Sequence, residues 1–299
     1  MTEFSRRDLL LTSAGLSGAA LAGAARSASP RPLDLEDPAI ALEAYIKLRG
    51  STARETVYQQ YEGDIYLVTE GEVAVPAVGF RGIQKSHWYP HPRGGYGNQD
   101  YDLGVYVDYE TREVLSHWDN PLTDDTVEVV HYRGGPSGSH FQVGRSAGDV
   151  YGDVEGRWRV AGNQLWHTAS RWGSRRNPLQ PDEWPKSSSG ELILGSMSLS
   201  FAGRVDEVRN PDLPMVPAMQ IWTNTVSWMP WMEMGQRPGF NMWRWVGAKG
   251  VDREELDPQL VTAVEQIWPG YVTKDAVWKE PTSGRRDYAR LKKAKPLTR

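Results

Sequence analysis

Pro230 interrupts the segment Gln220 to Gly247, QIWTNTVSWMPWMEMGQRPGFNMWRWVG, where Trp222, Trp228, Trp231, Trp243 and Trp245 crowd together. Proline has no backbone donor for a ladder, so the strand expected over Met219 to Trp228 must stop or bend there. Met232 and Met234 add adaptable thioethers, and Gly235, Pro238 and Gly239 supply a turn that returns the chain as Phe240 to Val246. The segment reads as strand, corner, strand. Its rings either fill a large β core or wall a pocket.

The rest of the chain alternates in the same way. Val57–Glu62, Ile65–Glu70, Gly79–Tyr89, Leu103–Tyr109, Val114–Trp118, Thr126–Tyr132, Arg157–Val160, Gln164–Trp172 and Leu192–Phe201 have strand periodicity, with turn residues between them. Within the last of these, Ile193, Met197, Leu199 and Phe201 alternate with Leu194, Ser196, Ser198 and Ser200, which predicts one buried face. Two helices are marked by caps. Asp37 and Pro38 open a short surface helix that Gly50 closes, and Asp257 and Pro258 open a second that ends at Trp268 before Pro269 and Gly270. So many antiparallel strands in one meander need their edges managed. The fold class expected is all-β, a large closed antiparallel barrel of lipocalin or calycin type with two short flanking helices, over residues 37–284.

The ends carry different signals. Ser5-Arg6-Arg7-Asp8-Leu9-Leu10 and the mild apolar run Leu11 to Ala25 resemble a twin-arginine export signal, residues 1–25, followed by a linker, 26–36. A periplasmic or secreted protein with no stable membrane insertion after processing is expected. Residues 285–299, with Arg285, Arg286, Arg290, Lys292, Lys293, Lys295 and Arg299, read as a solvated basic tail. The net charge of -4 with scattered cations gives no basic stripe, so nucleic acid is not an expected partner. The 299 residues include no cysteine, which excludes disulfides and thiolate chemistry.

Two stretches are similar to a known family: Trp118-Asp119-Asn120-Pro121-Leu122-Thr123 with Val127 to His131, and Ser227 to Gly235 with Arg237-Pro238-Gly239. They resemble the domain-of-unknown-function family 1838, from about Ala39 to Lys279. Members are bacterial or fungal proteins, often with an export signal. The resemblance implies the domain boundaries and carries over no catalytic residue.

Candidate chemistry must therefore come from the residues. His131 shares strand parity with Val127 and Val129 and should point inward, as a general base or acid or as a satisfied core histidine. His167 is a second catalytic candidate, on a strand whose inner side the pattern leaves undecided, and Arg171 on the same face is a ligand-binding candidate that could clamp a carboxylate. Asp119 sits at a turn with Asn120 and has either turn duties or a catalytic role. Trp222, Asn224, Trp228, Trp231 and Arg237 are the expected ligand-binding set, the rings holding an apolar or aromatic small molecule and the guanidinium its acidic end. No H-x-H or H-E-x-x-H spacing and no phosphate loop is present, so no metal and no nicotinamide, flavin or nucleotide cofactor is expected. Two classes remain: a cofactor-independent lyase, isomerase or hydratase, and a carrier or carbohydrate binder without chemistry. An enzyme should set a histidine or carboxylate beside an orienting partner within the fold.

Overall fold

The computed structural model describes residues 33–143, 145–147 and 157–294. The export-signal reading and the last basic residues, 295–299, lie outside them.

The chain is built on β1 (Glu55–Val68), β2 (Val75–Pro90), β3 (Tyr96–Val107), a small hairpin of β4 (His117–Asp119) and β5 (Thr126–Glu128), β6 (Tyr132–Gln142), β7 (Arg145–Ala147), β8 (Arg157–Ala161), β9 (Gln164–Arg176), β10 (Leu192–Arg204), β11 (Ala218–Val226) and β12 (Phe240–Val251). Apart from the small hairpin, these make one antiparallel sheet of ten strands in the order β7-β6-β3-β2-β1-β12-β11-β10-β9-β8. The first half of the chain meanders outward from β1, and the second half returns from the opposite edge to pair β12 with β1. Only nine residues separate Ala147 from Arg157. A chain of that length spans at most about 35 Å, whereas nine flat interstrand spacings would need about 43 Å. The sheet has to curl. It forms a strongly curled half-barrel.

The expected closed barrel is not formed. β7 and β8 are edges that do not pair with each other, and a helix stands where closure would occur. That helix, α1 (Pro38–Arg49), is capped by Asp37, whose carboxylate accepts from the Ala39 N–H at 2.8 Å. Its Tyr45 ring touches Phe141 of β6 at 5.8 Å and His167 of β9 at 4.9 Å, so one side chain bridges the two arms of the curl. The surface helix read from sequence is therefore an interior one: Leu42, Ala44, Tyr45, Ile46 and Leu48 are all buried. Even its lysine is held inside, Lys47 Nζ donating to the carbonyls of Val208, in α2 (Val205–Arg209), and Asn210.

The two faces are covered differently. On the outer face of β2 and β3, Ile83, Leu103 and Val105 pack against Leu260 and Val264 of α3 (Pro258–Ile267) and against Tyr271. On the inner face, one end is filled by α1 with Leu199 and Phe201. The other end is filled by the rings of the tryptophan segment, with Phe80, Tyr106, Val127 and Val129. α4 (Gly284–Ala294) closes that end through Tyr288. The tail read as solvated from Arg285 thus begins as a docked helix, with Arg285 and Asp287 buried. Gly134, Gly135 and Pro136 lie within β6. Among the described residues no helix is long and apolar enough to cross a membrane.

Candidate functional site

The tryptophan segment turns where its proline requires. β11 ends at Val226, Pro230–Met232 makes a short 3₁₀ turn, and Glu233 takes a left-handed conformation with φ 53°. The turn puts Trp228 and Trp231 into the core, each 2% exposed. Trp231 meets Tyr106 at 4.8 Å and Trp118 at 5.7 Å, and Trp243 meets Phe80 at 5.0 Å. For Trp228 and Trp231 the core-filling alternative describes the geometry. Trp228 Nε1 donates to the Arg237 carbonyl at 2.7 Å, while the Arg237 side chain is exposed. Arg237 thus meets the rings through its backbone.

The other expected residues are spread over the fold. His131 lies between β5 and β6 rather than on a strand with Val127 and Val129. Its Nδ1 accepts the Tyr106 N–H at 3.1 Å, so the proton of the neutral ring is on Nε2. Burial pulls its pKa down to about 4, with a backbone bond to Leu115 opposing. His167 is on the inner face, between Tyr45 and the Trp158 ring at 4.7 Å. Arg171 is on an exposed stretch of β9. Asp119 is exposed and accepts from Thr126 Oγ1 at 2.6 Å across the small hairpin. Of the set expected to bind ligand, Trp222 and Asn224 share the inner face of β11 with Gln220.

These three residues belong to a layer between the two packed ends of the curl. Trp222 meets Trp245 of β12 at 5.2 Å, and Trp245 stacks on Tyr61 of β1 at 4.6 Å. The Tyr61 phenol then crosses β2 and donates to Asp102 of β3 at 2.5 Å. Register makes this reach possible. Tyr61 lies opposite Gly82, and Gly82 opposite Gly104, so no side chain blocks the phenol; a Cβ on Gly82 would lie within the Tyr61 ring.

Both members of the pair are perturbed. Burial raises Asp102 to about 7; the Tyr61 bond opposes this and the nearby Asp100 adds to it. Burial and Asp102 push the Tyr61 phenol well above its ordinary value. Asp100 is itself raised by burial, against Arg49, Ser86 and Asn98. At neutral pH Asp102 is thus poised between acid and carboxylate, with a donor fixed on one oxygen.

The same layer holds buried polar atoms without partners among the described residues: the Nε1 of Trp222 and of Trp243, Asn224 Oδ1 and Gln220 Oε1. Asn224 lies opposite Trp243, and Trp222 opposite Trp245. Asp102, Trp222 and Trp245 keep accessible surface, although both ends of the inner face are packed. Buried polar groups in folded proteins are nearly always satisfied by protein or by ordered water.

Sequence reading missed Asp102 and Tyr61. It began the strand at Leu103, because Tyr96 to Asp102 is polar. The available signal was Asn98, Asp100 and Asp102 at a period of two, a polar stripe on one face. Among the described residues no group of three or more His, Asp or Glu is placed to hold a metal. Residues 54–290 match the model of a family described as a protein of unknown function, DUF1838. No curated protein matches the chain.

Proposed function

For this chain, which belongs to the DUF1838 family, we propose a cofactor-independent lyase, isomerase or hydratase that holds a small apolar or aromatic molecule on the inner face of the curled sheet and moves a proton on it. Trp222 and Trp245 supply the apolar wall, Trp243 Nε1 donates to an oxygen of the molecule, and the amide oxygens of Gln220 and Asn224 accept from its hydroxyl groups. Asp102 takes or gives the proton, and Tyr61 orients it. The single observation that carries the reading is the Tyr61–Asp102 pair beside the tryptophans, because a carrier needs no titratable carboxyl with an orienting donor. A pKa near the operating pH is what general acid–base work favours.

The test is a fluorescence titration with aromatic and terpenoid acids, alcohols and ketones, combined with product detection. Trp222→Leu should weaken binding. Asp102→Asn should bind and fail to turn over, and the wild-type rate should break near pH 7. Trp231→Ala is a poor probe, since truncating so buried a tryptophan costs about 3–5 kcal/mol of stability whatever its role. Binding without turnover in the wild type would make the protein a carrier. Absence of saturable quenching at millimolar ligand would leave the rings as core alone.

A further inference from the structure

A second feature lies away from the Asp102 layer. A cleft of about 530 Å³ is lined by the last residues of β9, the loop after it and the start of α4. Arg175, Arg176, Arg285 and Arg286 line it together with Ser283 and Asn177, and among the described residues no carboxylate does. The side chains of Arg175, Arg176 and Arg286 make no ion pair or hydrogen bond among the described residues. Asp287, the acidic residue in the first turn of α4, is already engaged, by Arg133 at 2.8 Å and Arg290 at 3.0 Å.

Arg285 is the anchor. It is 6% exposed, and its Nη2 donates to the carbonyls of Ser227 and Trp228, each at 2.7 Å, which sets the guanidinium rigidly. Its Nη1 is buried with no partner among the described residues. Burial, and after it the neighbouring Arg175 guanidinium, lower its pKa to about 10. The first N–H groups of the eleven-residue helix α4 have no intrahelical partner and carry the positive end of its dipole to the same place. Four cations gathered without a counter-charge among the described residues, one of them with an unmade buried hydrogen bond, are an arrangement that an oxyanion completes: guanidinium forks match its geometry in bidentate fashion.

We propose that this cleft binds a small molecule carrying a doubly charged oxyanion, a phosphate or a dicarboxylate. It needs no occupant on the inner face and rests on none of the chemistry assigned to Asp102.

Isothermal titration of the full chain with inorganic phosphate, with succinate and with chloride at matched ionic strength tests this. Saturable binding of phosphate or succinate, and none of chloride, is expected, and whichever binds identifies the anion class. The paired change Arg175→Gln with Arg176→Gln alters two exposed positions and should weaken that binding at least tenfold while the far-UV circular dichroism stays unchanged. Arg286→Gln should weaken it as well. Phosphate and succinate heats indistinguishable from chloride, or full affinity in the paired variant, would overturn the proposal. Quenching by aromatic ligands should be unaffected by these variants, so the two sites fail or succeed separately.

Discussion

Asn120 and Met232 are 112 positions apart and joined by a hydrogen bond from the Asn120 Nδ2 to the Met232 carbonyl at 2.8 Å. The two stretches that resemble the family are thereby one structural unit, a hairpin end buttressing the tryptophan turn. Asn120 Oδ1 also accepts the Leu122 N–H, and from the other side Asn241 Oδ1 accepts the Met229 N–H at 2.8 Å. Asn120 is 1% exposed, so removing its amide strands buried backbone groups. Asn120→Ala should destabilise the protein by about 2 kcal/mol, measured by urea unfolding, through the unmet polar groups it leaves. An unchanged midpoint would show that the bracket contributes nothing.

Gly82 gives the Tyr61 phenol its path to Asp102. Gly82→Ala should displace the phenol and break the pair while leaving the strand paired. Ultraviolet titration of the tyrosines should then show one fewer phenol with a strongly raised pKa. A wild-type titration curve would mean that the ring finds another route.

Asp102 and His131 should set opposing pH slopes. Asp102, raised to about 7, keeps a proton that the unfolded chain loses near 4, so its contribution is full below pH 4 and is lost as pH rises towards 7. His131, lowered to about 4, is neutral in the fold, so its contribution is full above pH 6.5 and is lost as pH falls towards 4. Each slope is at most about 1.4 kcal/mol per pH unit, and between pH 4 and 6.5 the two offset each other. Relative to wild type, Asp102→Asn should gain stability as pH rises through that window, and His131→Gln should gain it as pH falls. Thermal melts at half-unit steps would read both, and parallel curves for the three proteins would refute the assignment.

Export by the twin-arginine route remains a proposal from Arg6 and Arg7. Mass spectrometry of the exported protein should find an N-terminus at Ala25 or Arg26, and Arg6→Lys with Arg7→Lys should block export. Full-length protein in the exported pool would count against it.

Local chemistry was legible in the chain. Asp37 and Pro38 start α1, Asp257 and Pro258 start α3, and Pro230 ends β11 before the 3₁₀ turn, because caps and proline breaks depend on residues within a few positions of one another. The mostly β class followed from period-two alternation. Whether the sheet closes was not legible, since closure depends on what stands between its edges; only the fold puts Tyr45 between Phe141 and His167. Nor could alternation place Arg285: a basic residue in a basic segment looks solvated until a docked helix sets it against the carbonyls of Ser227 and Trp228. The Tyr61–Asp102 pair is the plainest case. The residues are 41 positions apart, and their contact exists only because strand register stacks Tyr61, Gly82 and Gly104 across three strands. Register is a property of the paired sheet, and no single strand contains it.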